Sequence, residues 1–461
     1  MDRLRRGETR VEVAPAHAHL VGIAGRGMSG VAQVLVQRGL RVTGSGRPNH
    51  PASERLRRLG ARIHIGHPPR GAQLLVYHPE VGREHPARLV ASRRGIDQAS
   101  AGQWLADLMG CSTSLAVVGQ RTASIASAMI GWTLTRAGLD PTVVLGSSAP
   151  QLGGWGRVGD GPHFVVEAIE GAGEVGPHAP RLAVLLDVAA ETPGGAKDRL
   201  EGLRRFAESV PSNGYVLALD GHDLVSAAVR DLSPVVVERV SLDHPSDWWV
   251  GDLRDDRGSY RFRVFHRERF VVELGLRVPG RRHVLGALAA VAVCDHLSVP
   301  IREIKQGLEE FVGLSRDFES RGSYRGVTLL DDEGRDPESI SETLANVRRR
   351  FGNRPIRAVV CVGEGSRTAG MGTAYSAALA AADQVLVIEG ERAGDRRDDS
   401  LAEELMASGT PVRAVAGLAD AIEELDRSLE PGDVLVTLGA GDVGTIADAF
   451  IRRLSRDHQG R

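Results

Sequence analysis

The chain has 461 residues, 42% hydrophobic and 25% charged, with a formal net charge of -2. At roughly 150 residues per domain that length suggests about three domains. The near-neutral charge argues against a protein that coats nucleic acid or anionic membrane, and no apolar run is long enough for membrane insertion. The basic start Met1-Asp-Arg-Leu-Arg-Arg-Gly7 lacks the apolar core of a signal peptide. Cys111, Cys294 and Cys361 are widely spaced in apolar runs and read as buried free thiols of a cytoplasmic protein.

In chain order, His19 opens a short strand that breaks into glycines and runs into a helix reaching Gly39. Strands follow at Arg41–Gly44 and Leu74–Tyr77, with a helix around Arg55–Leu59. A second unit starts at Ser114, again strand, loop and helix, the helix ending near Gly138. Phe164–Glu167, Leu182–Leu186 and Tyr215–Leu219 supply buried strands, and short alternating strands occupy Val235–Leu276. A helix covers His283–Leu297, and a third unit carries strands at Val327–Leu330, Ala358–Val362, Val385–Ile388 and Val434–Leu438. Strands alternating with helices imply parallel sheets covered on both faces, an α/β chain. The expected domains are 1–111, 112–320 and 321–461.

Gly25-Arg-Gly-Met-Ser-Gly30 is a G-x-G-x-x-G turn between a strand and a helix, a place where backbone N–H groups can meet a diphosphate. The second strand is followed by Ser45-Gly46-Arg47, with no acid to grip a ribose, which disfavours a dinucleotide and a dehydrogenase. A glycine turn that only packs helix on strand is the plainer alternative.

Val21-Gly-Ile-Ala-Gly-Arg-Gly-Met-Ser-Gly-Val-Ala32, Gly44-Ser-Gly46 and Ile65-Gly-His67 resemble the UDP-binding domain of the Mur ligases of peptidoglycan synthesis. The resemblance continues through Gly138–Gly146, Val284–Ala290 and Leu329–Pro337 to Pro431–Asp442, essentially the whole chain in the family's order. It implies three domains: a Rossmann-like UDP-sugar domain, a central P-loop-type ATPase-like domain and a Rossmann-like C-terminal domain. For the first domain it implies UDP-N-acetylmuramate contacts at Gly22, Gly25, Gly27, Met28, Ser29, Gly30 and His67. ATP and Mg²⁺ are the cofactors implied for an active member, and cell-wall synthesis enzymes are the implied protein partners.

The family's ATP chemistry rests on a phosphate-cradling loop with a lysine, and on carboxylates with Mg²⁺. Here that loop reads Val118-Gly-Gln-Arg-Thr-Ala-Ser-Ile125. Gly119 is kept, and Ser124 stands at the Mg²⁺-ligating hydroxyl. The second glycine is Thr122, and the lysine is Ala123. The only lysines of the chain, Lys197 and Lys305, lie elsewhere; Arg121 would need a different backbone path to serve instead.

The acidic run Val165–Gly173 keeps Glu167 and Glu170, with Glu170 a weak metal candidate, but has Ile169 and Ala172 for aspartates. In Leu186-Asp-Val-Ala-Ala-Glu-Thr192 the family's histidine is Thr192, its glutamate Ala189 and its aspartate Glu191. His283 and Gly286 stand for a pair of base-contacting asparagines. In the third domain Asp331, Asp332 and Arg367 remain as residual nucleotide contacts, beside the charge reversal Glu364. The degenerate positions Ala123, Ala189 and Thr192 leave no intact catalytic set. The favoured expectation is a pseudo-ligase that keeps UDP-sugar binding, or a scaffold or regulatory role, and needs no cofactor; the alternative is a divergent ATP-dependent ligase.

Overall fold

The computed structural model describes residues 16–46, 50–64, 66–110, 112–120, 122–171, 174–175, 179–188, 195–361, 372–389, 401–407, 409, 411–439 and 441–459. The first unit runs β1 (His17–Val21), α1 (Met28–Gln37), β2 (Arg41–Ser45), α2 (Pro51–Arg58), β3 (Arg62–His64), β4 (Leu74–Tyr77), α3 (Pro86–Arg93), β5 (Asp97–Ser100) and α4 (Ala101–Met109). Its strands form one parallel sheet in the order β3-β2-β1-β4-β5. Strand order reverses between β1 and β4, so the carboxyl ends of those strands flank a crevice of the kind that takes ligands in open α/β sheets.

The second unit contains β6 (Thr113–Val118), α5 (Thr122–Arg136), β7 (Thr142–Ala149), β8 (Gly154–Arg157), β9 (His163–Glu167), β10 (Glu170–Gly171), β11 (Glu174–Val175) and β12 (Leu182–Leu185). It continues with α6 (Gly195–Glu208), β13 (Tyr215–Leu219), α7 (Asp223–Ala228), β14 (Val236–Ser241), β15 (Trp248–Asp256), β16 (Ser259–His266), β17 (Arg269–Pro279), α8 (Arg281–His296) and α9 (Ile301–Glu310). A ten-stranded sheet in the order β17-β16-β15-β14-β13-β12-β6-β9-β7-β8 spans it, parallel in the middle and antiparallel at both ends. The central strands are covered on both faces, which explains why β6 and β12 read as unbroken apolar runs. Helix α5 is buried nearly all round, against the sheet on one side and α8 on the other.

The third unit comprises β18 (Glu319–Tyr324), β19 (Val327–Asp332), α10 (Pro337–Phe351), β20 (Ile356–Cys361), α11 (Gly372–Leu379), β21 (Gln384–Ile388), α12 (Leu401–Ala407), β22 (Val412–Val415), α13 (Leu418–Ser428), β23 (Val434–Gly439) and α14 (Thr445–Gln459). Its sheet runs β18-β19-β23-β20-β21-β22, antiparallel only at β18. Among the described residues no helix is long and apolar enough to cross a membrane. Of the cysteines, Cys294 is buried, Cys361 is half-buried and Cys111 lies outside the described residues.

The first unit is seated on the second through α1. Val144, Phe164, Val166 and Ile169 of the second unit belong to the same apolar core as Met28, Val31 and Val34. Gln33 ties the seam, its amide nitrogen donating to Gly153 O at 3.0 Å and its oxygen accepting from Trp155 N at 3.3 Å. At Gly30 the contact is closest, for a Cβ there would lie 2.7 Å from Trp155 O and 2.8 Å from Leu145 O. The last glycine of the G-x-G-x-x-G turn therefore serves domain packing. Gly30→Ala is expected to destabilise the chain by about 1–3 kcal/mol, the usual cost of overpacking. Thermal unfolding checks it; an unchanged melting temperature would show that the seam yields without cost.

Candidate functional site

The glycine turn begins at Gly22, whose φ of +72° places it in the left-handed region. Gly22 N and Ile23 N donate to Ser45 O at 2.8 and 3.0 Å, which folds the turn back over β2. Gly22, Gly25 and Arg26 are exposed, and they form the open side of the turn at the carboxyl edge of the sheet. Met28 and Ser29 are buried: Met28 packs in the core, and the Ser29 hydroxyl donates to Gly25 O at 3.1 Å. Their side chains hold the turn in shape. Gly27, also at φ +72°, would bring a Cβ within 2.7 Å of Ile169 Cγ1, so it too marks the seam with the second unit. His67 is exposed in the segment after β3, on the same carboxyl edge.

The second unit's loop between β6 and α5 lies across this seam. In a phosphate loop, backbone N–H groups at the start of the helix receive an anion. Here Thr122 N donates to the Asp187 carboxylate, at 3.2 and 3.3 Å to its two oxygens. Gln120 N donates to the Asp187 carbonyl at 2.6 Å. A carboxylate of the chain itself thus sits at the start of α5, where the helix dipole favours negative charge. Ala123 is fully buried in the core of the second unit, with no side-chain atom that could approach a phosphate.

Ser124 and Glu167 do come together. The Ser124 hydroxyl donates to Glu167 Oε2 at 2.5 Å, and Gly146 N donates to the same oxygen at 2.7 Å. The other oxygen, Oε1, accepts from Arg26 Nη2 at 2.9 Å and Nε at 3.2 Å. A Mg²⁺ ion needs oxygen lone pairs aimed at one point. Both Glu167 oxygens are already bonded to donors of the chain, so the residues present do not fit a divalent cation. No group of three or more metal-ligating side chains occurs among the described residues. Glu170 lies in β10, but its side chain is outside the description. Arg121, Ala189, Glu191, Thr192 and Arg367 also lie outside the described residues.

Asp331 and Asp332 end β19, yet both are engaged internally. Asp331 accepts from Arg316 Nε at 2.9 Å and Thr437 Oγ1 at 2.7 Å. Asp332 accepts from Phe318 N at 2.9 Å and Gly334 N at 2.7 Å. Arg282 at the start of α8 reaches Asp317, Asp332 at 3.8 Å and Glu342 at 3.6 Å, and so joins the second and third units. His283 beside it is buried, with Nε2 3.2 Å from Asp317 Oδ2. Gly286 lies where α8 crosses α5, against Ile125. The two residues that stand where the family resemblance implies base-contacting asparagines are taken up by an ion cluster and a helix crossing. No sequence pattern marks Arg26, Asp187 or Arg282 as site residues, since each acts on a partner remote in the chain.

Three α/β units, with a glycine turn at the first switch point and a helix-start loop facing it, define a three-domain ligase architecture. The chain belongs to the Mur ligase family. Residues 17–112 match the model of the Mur ligase family, catalytic domain, and residues 318–441 that of the Mur ligase, glutamate ligase domain. The UDP-N-acetylmuramate–L-alanine ligase of Sulfurihydrogenibium sp. (strain YO3AOP1) is 31% identical over 452 residues, 95% of this chain and 97% of its own. That of Solibacter usitatus is 32% identical over 463 residues, 97% of each chain. In structure, the UDP-N-acetylmuramate-alanine ligase MurC of Thermotoga maritima superposes with a TM-score of 0.80 at 22% identity, covering 96% of this chain and 99% of its own.

The Arg282 cluster makes a prediction about pH. Burial pushes the Asp332 carboxyl up to about 6, against the pull of Arg282 and with the Asp317 charge adding to the rise. Asp317 is buried too, but Arg282 and then His283 hold it well below the usual carboxylate range. A raised carboxyl binds more protons folded than unfolded, so its contribution falls as pH rises from the ordinary 3.8 to about 6. Asp317 works in the opposite sense, but only below that window. Unfolding free energies of the wild type and Asp332→Asn are thus expected to differ in slope across this window, with the wild type losing more on going up. Parallel curves would show that Asp332 stays ionised throughout.

Proposed function

We propose that this Mur ligase family member has lost ATP-dependent ligation and retains UDP-sugar binding in a scaffold or regulatory role. The observation that carries the reading is the helix-start loop: Asp187 holds the N–H of Thr122, and Ala123 is sealed in the core where the family resemblance implies a lysine. A γ-phosphate would meet a carboxylate instead of an ammonium, and like charges repel strongly in a low-dielectric cleft. Removing one positioned donor from a charge-stabilising site costs about 10²–10³ in rate, and several are replaced here. The turn is exposed at Gly22, Gly25 and Arg26 on the carboxyl edge of the first sheet, which supports UDP-sugar contact on that face. The Gly22 and Gly25 N–H groups themselves are bonded to Ser45 O and Gly22 O, and His67 is exposed on the same edge. The domains we propose are 1–111, 112–320 and 321–461; the first boundary lies between α4 and β6, and the second falls within β18 at the edge of the third sheet.

The purified chain with Mg²⁺, UDP-N-acetylmuramate and a panel of amino acids is expected to release no ADP from ATP. Turnover above about 0.1 s⁻¹, already below the usual enzyme range of roughly 1–10³ s⁻¹, and abolished by Ser124→Ala, would establish a divergent ligase instead. Ala123→Lys is expected to lower the melting temperature without producing turnover, because the new ammonium starts from a buried position. UDP-N-acetylmuramate is expected to raise the melting temperature. No shift with either it or UDP at millimolar concentration would sink the binding half of the reading.

A further inference from the structure

Arg26 lies between the first two glycines of the turn, and its side chain leaves its own domain. Its Nη2 lies 2.9 Å from Glu167 Oε1, 3.2 Å from Gln120 O and 3.3 Å from Ser124 Oγ. Its Nε adds a second bond to Glu167 Oε1 at 3.2 Å. A carbonyl, a hydroxyl and a carboxylate are hard oxygen donors of the kind that surround Mg²⁺. What they surround is a guanidinium. The Glu167 side chain is only 7% exposed while that of Arg26 is 53% exposed, so the buried partner is the anion. A buried carboxylate left without a counter-charge is costly, whereas a half-exposed guanidinium can be solvated.

We propose that Arg26 is the resident cation of this site. Its guanidinium lies between Gln120, Ser124 and Glu167, beside the Ser124 hydroxyl to which the family resemblance gives a Mg²⁺, and it excludes a divalent metal there. The chain thereby joins its first and second domains without an ion, through a charge carried on the glycine turn. Arg26 acts as a positioning residue across the seam. The inference rests on the reading of lost ligation, for which it supplies the physical substitute.

The test is thermal unfolding of the full chain in EDTA and in millimolar Mg²⁺. The wild type is expected to melt at the same temperature in both. Arg26→Met keeps the length of the side chain and removes its charge. It is expected to melt several degrees lower in EDTA and to recover at least part of that loss in Mg²⁺, which then neutralises Glu167. Arg26→Met with Glu167→Gln is expected to lose the Mg²⁺ response, a result that a purely packing role for Arg26 would not produce. The proposal is overturned if Arg26→Met responds to Mg²⁺ no more than the wild type does. If Arg26→Met does not fold in EDTA, folding of the double variant supports the charge argument, and its failure to fold overturns it. ADP release by the wild type in the same preparations would remove the reading of lost ligation and leave the Mg²⁺ comparison to judge Arg26.

Discussion

A single buried carboxylate, that of Glu167 at the end of β9, connects the parts of this molecule that matter for its chemistry. Its four bonds come from Arg26 in the first domain, from Ser124 on α5, and from Gly146 on β7. Burying a carboxylate is unfavourable unless its lone pairs are met. Here they are met only when the glycine turn, the helix start and two neighbouring strands are all in place. The seam between the first two domains is thus specified by a polar requirement as well as by the apolar contacts around Met28 and Ile169. The close approach at Gly30 makes the apolar part possible, since any larger residue would hold α1 off β7 and β8.

The same logic recurs at the loop before α5. A helix start with its backbone donors turned outward attracts negative charge, and a Mur ligase fold uses that property by resemblance for a nucleotide. In this chain Asp187 supplies the charge from the end of the neighbouring strand β12. Asp187 at the helix start and Arg26 beside Ser124 and Glu167 place one negative and one positive side chain of the protein itself in the cleft. Such internal satisfaction lowers the energy of the empty cleft and raises the cost of admitting a charged ligand there.

The third domain is fastened by charge rather than by a broad apolar seam. Arg282 is held above its usual range by Asp317, Asp332 and Glu342, although burial works against it. One guanidinium shared among three carboxylates from the linker, from β19 and from α10 leaves the cluster with more negative than positive charge. Burial raises the Asp332 carboxyl, with the Asp317 charge adding to the rise against Arg282, while Arg282 and His283 lower that of Asp317 against its own burial. The Asp331-Asp332 pair thus works in domain packing, with Arg316 and Arg282 as its partners.

Much of the architecture could be read from the chain without a structure. Apolar runs such as Leu74–Tyr77 and Tyr215–Leu219 coincide with β4 and β13 because a strand covered on both faces must be apolar throughout. The glycine turn was legible because it lies between such a strand and a helix, and Ala123 was legible as the residue standing where the resemblance implies a lysine. Short edge strands such as β3 and β8 escaped because three or four residues carry too little period to read. Which side chains meet at the helix start and beside Ser124 could not be read at all. Arg26 and Glu167 are 141 residues apart, and Thr122 and Asp187 are 65 apart. Local sequence determines which segments become strands and helices, through periodicity and backbone preference. Only tertiary packing decides which charges meet, because a carboxylate acquires its partner from whichever element the fold lays beside it.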